Sequence, residues 1–419
     1  MYIEHIHIEN FRGIEKIDLD LKSGVNILIG DNGTGKTTIL EAMANALGGY
    51  LQGIQNLKVS GFKQDDFRQS IMKLGGASNS IKYHSPLIGF DLNIDGKTFH
   101  GERSRGDRSQ YGKTQTACAE MQKHAKAAAN DESSILPLLC YMSISRVTMT
   151  KRSDYGKAAK NKLNDRRSGY IGCMESIIDK TSILEWIKKM SYESILHSKT
   201  MPEYLLFQNI VANVMKEINE LTEKPEIVYS ADFMDIAYVE NGTLQPIGIL
   251  SAGYQSLLWM VMDLAFRLAL LNPEMKDPNE ATGIVIIDEI DMHLHPRWQW
   301  NVVNAFRKTF PGVQLIIATH APIIIASCKQ ANLILLRELG EVRYLEDAYA
   351  YSINDVLEYR QNSSGLLKEL REKISVFDRL LNEGKVQEAQ AVLKEMENKF
   401  GYYNAEVVEA RTEYELETL

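Results

Sequence analysis

Two kinds of hydrophobic spacing alternate along this chain. Residues 25–30, VNILIG, are a short unbroken apolar run ending in Gly30, the pattern of a strand covered on both faces. Directly after it, Thr37 to Ala46 (TTILEAMANA) places apolar residues at the helical period. The strand pattern returns far downstream, in the four consecutive aliphatics Ile284 to Ile287 and in VQLIIATH, residues 313–320. Ahead of these, YQSLLWMVMDLAFRLALL (254–271) predicts a long apolar helix. Buried strands separated by helices predict an α/β fold around a mostly parallel sheet.

The middle of the chain reads differently. ILEWIKKMSYESILHS and MPEYLLFQNIVANVMKEINELTEK predict ordinary helices, followed by strands in EIVYSADFMDIAYVENG. No heptad pattern persists over the three or four repeats that a coiled coil needs. Residues 101–240 are therefore expected to form a compact helical lid insertion between an N-terminal lobe (1–100) and a C-terminal lobe (241–350). In the region 351–419, Leu366, Leu370, Ile374, Phe377 and Leu381 follow the helical period. Asn382, Glu383 and Gly384 mark a turn, and Val386, Ala389, Val392, Met396 and Phe400 resume the period. This predicts a C-terminal helical hairpin, with room for a third helix after Tyr403. Its apolar stripes must pack on the chain itself or hold a second protein.

Composition changes little in this picture: 44% hydrophobic and 24% charged residues are those of an ordinary globular chain. The N-terminus lacks a signal-peptide core, and no uninterrupted apolar stretch approaches the roughly 20 residues of a membrane span, so a cytoplasmic protein with no membrane partner is expected. Cys118, Cys140, Cys173 and Cys328 lie far apart, without a CxxC pair, and read as buried or neutral thiols. The net charge of -8 hides a local excess: residues 145–170 hold eight Lys or Arg against two Asp. Arg146, Lys151, Arg152, Lys160, Arg166 and Arg167, with Tyr155 and Tyr170 for stacking, are candidates for contact with DNA or RNA backbone; a solvated loop is the alternative.

The chemistry concentrates where the strands end. Gly30, Gly35, Lys36 and Thr37 fit the spacing GxxxxGK[ST] between a strand and a helix, which is the context this motif requires. In such a loop the amides of Asn32, Gly33, Thr34 and Gly35 converge on phosphate oxygens, Lys36 reaches the β- and γ-phosphates, and the Thr37 hydroxyl ligates Mg²⁺, with Thr38 in the first helical turn. Asp288 emerges at the carboxyl end of the strand Ile284–Ile287, where open α/β sheets hold ligands, and is placed to hold the metal. Glu289 is the candidate to orient or deprotonate an attacking water, and His320 to contact the γ-phosphate. Ser251, Gly253 and Gln255 open a second helix whose N-terminus also suits an anion. One chain thus carries two phosphate-type loops 215 positions apart, counted from Lys36 to Ser251.

IENFRGI, GDNGTGKTT, LSAGYQS, VIIDEIDMHLHP and IIATH occur in an order that resembles the ABC-type ATPases of the SMC and RecF-like group, and the small bacterial ATPases related to the OLD family. The resemblance covers about residues 1–55 and 245–340. It implies ATP and Mg²⁺ as ligands and slow ATP hydrolysis. It further implies a head-to-tail dimer, or several dimers, in which the LSAGYQS loop of one subunit caps the γ-phosphate held by the other. Arg12 resembles a family residue near the nucleotide, and Gln52 is a candidate for the family's loop glutamine. Two departures stand out: Ala252 replaces a glycine, and Tyr254 stands where glutamine is usual. The chain is also similar to the ATPase components of two-gene antiphage systems such as Septu and PARIS, whose partners are an HNH and a Toprim nuclease. It shows no nuclease constellation of its own, so any cleavage is expected in a separate effector. A RecF-like repair ATPase binding DNA directly, or a non-hydrolysing ATP-dependent scaffold, are the alternatives.

Overall fold

The apolar runs become neighbouring strands of one sheet. The computed structural model describes residues 1–73, 79–109, 112–143, 165–175, 178–337, 340–359 and 367–417. Its six-stranded sheet runs Val342–Leu345, Asn332–Leu336, Val25–Ile29, Gly312–Ala318, Thr282–Ile287 and Leu138–Met142 in spatial order. Every neighbouring pair is parallel except the first. All residues of Val25–Ile29, Asn332–Leu336 and Leu138–Met142 are buried. That is why these segments read as unbroken apolar runs rather than alternating ones.

A second, antiparallel sheet is built from Ile14–Asp20, Tyr2–Phe11, Leu87–Ile94, Lys97–Ser104 and Gln115–Ala117, in that order. The helix Lys36–Leu51 lies between the two sheets and packs on both. Its Ile39, Leu40, Met43 and Leu47 share one core with Ile6, Ile8, Ile88 and Phe90 of the antiparallel sheet and Ile286 and Ile316 of the parallel one. Covered on both sides, this helix is apolar nearly all round rather than along one stripe.

The stretch 101–240 departs from the expected helical insertion. The expected boundary after residue 100 falls inside the strand Lys97–Ser104, and Leu138–Met142 is a strand of the central sheet itself, with Ile287 opposite Met142. The short apolar run LLCYM carries too little sequence to distinguish a sheet strand from a buried helical turn. The helices Lys180–Leu196 and Pro202–Asn219 and the antiparallel strands Glu226–Ser230, Asp235–Glu240 and Thr243–Pro246 lie where the periodicity placed helices and strands.

The helix Ala252–Leu271 packs against Pro202–Asn219 and the edge strand Leu138–Met142. Contrary to the expectation from apolar length, it is long and apolar enough to cross a membrane, but 67% of its apolar window is buried inside the fold. Two charged residues within it, Asp263 and Arg267, are both buried, and the Arg267 Nε donates to Asp263 Oδ2 at 2.9 Å.

The chain divides into two compact units, Met1–Tyr351 and Ser352–Leu419. In the second, the expected hairpin is a three-helix arrangement of Lys368–Asn382, Val386–Phe400 and Ala405–Glu417, preceded by a short helix, Ile353–Tyr359. Leu370, Phe377, Leu380, Ala389, Leu393, Met396, Val407 and Ala410 form its own core. The apolar stripes of these helices therefore face each other.

Candidate functional site

The strand Val25–Ile29 delivers the chain into a loop whose backbone only glycine tolerates at one end. Gly35 has φ of 95° immediately before the helix Lys36–Leu51, in the left-handed region that costs other residues strain. Lys36 is 7% exposed, and its Nζ donates to the carbonyls of Gly30 at 2.8 Å and Asp31 at 2.9 Å, so the ammonium curls over its own loop. Burial lowers the Lys36 pKa from its ordinary value, while Asp288, Asp31 and Glu289 act in the opposite sense. The loop residues Asn32 and Gly33 are exposed, and the Thr34 hydroxyl donates to Asp31 O at 2.9 Å. Thr38 lies one residue along the helix, half-buried.

The parallel strand order brings the second half of the site to the same edge. The Thr37 Oγ1 donates to Asp288 Oδ2 at 2.8 Å, across 251 positions of sequence. Asp288 is 1% exposed, and its amide bonds Met142 O at 2.8 Å, so the edge strand fixes where this carboxylate begins. Glu289, half-buried, has φ of 45°, an uncommon conformation for a residue with a side chain. His320 follows the strand Gly312–Ala318. Burial and the nearby Lys36 lower its pKa, against Asp291, Glu289 and Asp31, which raise it. Lys36, Asp288, Glu289 and His320 therefore share one electrostatic neighbourhood.

One member of that neighbourhood escapes the motif reading. Asp291 accepts a hydrogen bond from the Thr319 hydroxyl, whose oxygen in turn accepts from Ala321 N at 3.0 Å. This ties the acidic loop after Asp288 to the loop that carries His320. Only the spacing DEID hinted at a third carboxylate, and a carboxylate three positions past Asp288 has no distinguishing local pattern.

A hydroxyl and a carboxylate side by side are hard oxygen donors, which suit a magnesium ion that completes its shell with phosphate oxygens and water. Among the described residues, no cluster of three or more His, Cys, Asp or Glu could hold a metal by itself. The loop amides, the helix N-terminus and Lys36 supply the positive field for a triphosphate.

The second phosphate-type loop makes its hydrogen bonds within its own surroundings. Ser251 caps the helix Ala252–Leu271, its hydroxyl oxygen accepting from Tyr254 N at 3.3 Å. A Cβ on Gly253 would sit 2.2 Å from His293 O, so this position must be glycine for the helix to meet the loop 293–298. Gln255 turns its amide back onto the carbonyls of Gly248 at 3.2 Å and Leu250 at 2.8 Å. Among the described residues, none of the hydrogen bonds of 251–255 reaches the loop around Lys36.

Other candidates fall elsewhere. Arg12 is paired with Glu41 and donates from Nε to Asp66 Oδ1 at 3.0 Å, at the wall of a cavity of about 400 Å³ that Asn45, Lys58 and Lys63 also line. Gln52 ends the helix that starts at Lys36, roughly 24 Å along its axis, which removes it from the phosphate loop.

The basic segment is corrected in part. Arg166 is spent on the carbonyls of Asp131, Glu132 and Ser134. Arg167 forms an ion pair with Asp165, and Tyr170 is buried with its hydroxyl on Pro137 O at 2.9 Å. Charge alone could not show that Arg166 satisfies backbone carbonyls and that the Tyr170 ring is buried. Arg146, Lys151, Arg152, Tyr155 and Lys160 lie outside the described residues. The four cysteines are free and buried, and burial pushes the Cys173 and Cys328 thiols up to about 12.

With a phosphate loop, a strand-end acid pair and a parallel sheet between them, the class of protein is a P-loop ATPase head. The model of the AAA domain matches residues 5–226, more than half of the chain, and a second AAA-domain model matches 159–326; the chain belongs to this AAA-domain family. It is similar to the protein named "Retron Vc95 probable ATPase" of Vibrio cholerae serotype O1 biovar El Tor, 24% identical over 391 residues, covering 80% of this chain and 74% of that protein. It is also similar to the Septu protein PtuA of Bacillus mycoides (strain KBAB4), 23% identical, covering 96% of this chain and 51% of that protein. The chain thus spans about half the length of this second relative. Among solved structures, the Smc head bound to the C-winged helix domain of ScpA aligns with a TM-score of 0.48 at 15% identity, over 83% of this chain and 98% of that one.

Proposed function

We propose that this protein binds and hydrolyses Mg-ATP as a head-to-tail dimer, and that it is the ATPase and sensor subunit of a bacterial antiphage system controlling a separate nuclease effector of HNH or Toprim type. The observation that carries the ATPase reading is the Thr37–Asp288 hydrogen bond, which builds a magnesium-type oxygen pair beside a phosphate loop. Thr37 and Asp288 would hold the magnesium ion, which would supply positive charge to offset that developing on the phosphates. Lys36 and the loop amides hold the triphosphate. Glu289 lies beyond Asp288, where it orients a water toward the γ-phosphate. His320, kept uncharged by burial and Lys36, accepts or donates a single hydrogen bond there.

The dimer reading rests on Ser251 and Gly253, which form a second anion-attracting helix start whose hydrogen bonds, among the described residues, do not reach the loop around Lys36. An isologous pair would use that motif twice. ATP then favours the closed pair by its differential affinity for it, and hydrolysis returns the open state. The similarity to the retron and Septu proteins supports the defence reading.

The test is Mg-dependent phosphate release. Lys36→Ala and Asp288→Asn are expected to reduce turnover by at least about 100-fold, and Ser251→Ala substantially. Mixing Lys36→Ala with Ser251→Ala chains should restore turnover, because half of the composite sites in a mixed dimer are then intact. A mixture as inactive as its components would refute the dimer.

A further inference from the structure

Tyr254 occupies the place in the LSAGYQS loop where glutamine is usual in the proteins it resembles, and the fold spends an unusual amount of structure on it. Its hydroxyl donates to Glu240 Oε2 at 2.8 Å and accepts from Asn219 Nδ2 at 3.1 Å. Its ring meets Trp298 edge-on at 5.3 Å and Tyr238 at 5.4 Å. Its backbone amide is the donor that the Ser251 hydroxyl caps. Tyr254 therefore joins four elements: its side chain meets the strand Asp235–Glu240, the helix Pro202–Asn219 and the short helix Pro296–Gln299 that carries Trp298, and its backbone amide meets the helix start at Ser251.

The neighbouring contacts run the same way. Gly253 lies against His293 O, and the His295 ring meets Trp298 edge-on at 6.1 Å. The loop 293–298 is itself the continuation of the acidic turn that holds Glu289 and Asp291, closed by amide bonds from Met292 to Glu289 O and from Leu294 to Asp291 O. A bond between a phenol and a carboxylate is stronger and more directional than one between neutral groups. Held by that bond, by a second from the Asn219 amide and by two ring edges, Tyr254 is turned away from a phosphate-facing role.

We propose that Tyr254 is a positioning residue for ATP hydrolysis: through Glu240, Asn219 and Trp298 it holds the Ser251–Gly253 loop at the angle needed to cap a nucleotide bound by a second copy of the chain. The inference rests on the head-to-tail reading above. Without the tether, the Ser251 hydroxyl and the helix start remain present but lose their fixed approach. A displacement of about 1 Å at a reacting centre costs on the order of 100-fold in rate. Nucleotide capture by the Lys36 loop uses none of these contacts.

The experiment uses the full chain carrying Tyr254→Phe, which keeps both ring contacts and deletes the hydroxyl. Turnover should fall about 10-fold to 100-fold with little change in KM or in the affinity for Mg-ATP of the isolated subunit. Glu240→Ala should reproduce the loss, and combining it with Tyr254→Phe should add little, since both remove one tether. Adding Lys36→Ala chains should restore turnover, because they bring an intact Tyr254 to the nucleotide held by the Tyr254→Phe chain. Unchanged turnover in Tyr254→Phe overturns the proposal. So does a loss that Lys36→Ala chains cannot rescue while the Lys36→Ala and Ser251→Ala mixture does recover, since Tyr254 would then serve folding alone. Failure of that reference mixture instead removes the dimer reading, and this inference with it.

Discussion

His320 and Lys36 show how burial sets chemistry at single residues. A lysine pressed against its own loop carbonyls and a histidine beside it cannot both carry charge cheaply, so the histidine gives up its proton first. With its folded pKa below the ordinary 6.5, the unfolded chain takes up the proton earlier as pH falls. Stability from this residue is therefore complete above 6.5 and declines as the pH drops below it. His5 runs the other way, since Asp20, Asp18 and Asp91 raise its pKa against the opposing effect of burial; its contribution is present at low pH and fades as pH rises. The expected outcome is that His320→Gln flattens the fall in melting temperature as pH drops below 6.5. An imidazole titration by NMR should place His320 below 6.5 in the free protein and move it upward when a triphosphate binds. A His320 that titrates above that value without nucleotide contradicts the arrangement.

At the scale of elements, the helix Ala252–Leu271 also anchors a distant segment of the chain. Arg267, 6% exposed, donates to Asp263 and to the carbonyls of Gly169 at 3.1 Å and Ile171 at 2.9 Å. Gly169 leaves no room for a side chain there, since a Cβ would lie 2.6 Å from Leu271 Cγ. The segment 165–171 is thereby fixed to the second half of the same helix that begins at Ser251. Arg267→Met leaves Asp263 buried without its partner and strips two carbonyls of a donor, so a loss of about 3–5 kcal/mol is expected in denaturant unfolding. The paired replacement of Asp263 and Arg267 by apolar residues should cost much less. Equal losses for the single and double changes would show that packing, not charge, dominates.

The segment 165–171 also shows what charge counting leaves open. Eight basic residues in 145–170 suggested a polyanion site, yet Arg166 bonds the backbone carbonyls of Glu132 and Ser134, and Arg167 pairs with Asp165 two positions away. A cation that satisfies backbone carbonyls and one that waits for phosphate look identical in sequence.

For the whole molecule, the unit Ser352–Leu419 carries a core drawn from its own three long helices. Ion pairs Lys373–Glu395 and Arg411–Glu397 link those helices at its surface. Phe377 is fully buried in that core, and Phe377→Ala should cost the unit about 3–5 kcal/mol. Hydrogen exchange should show the loss across Val386–Phe400 and Ala405–Glu417, while Mg-ATP affinity at Lys36 stays as it was. A matching loss of nucleotide affinity would mean that the two units do not unfold separately.

By itself the sequence determined what local physics can encode: which segments are buried strands, which are helices, and that GDNGTGKTT is a phosphate loop whose glycines and lysine have one use at that spacing. Those signals arise from neighbours within a few positions, where periodicity and backbone freedom act directly. Tertiary structure decided everything that depends on strand order. It placed Asp288 against Thr37 across 251 positions, brought LLCYM into the central sheet, turned Arg166 inward, and bound Tyr254 to Glu240 and Asn219. The reason is physical: a side chain's partner across the fold is chosen by the packing of whole elements, and a residue's identity limits that choice without making it.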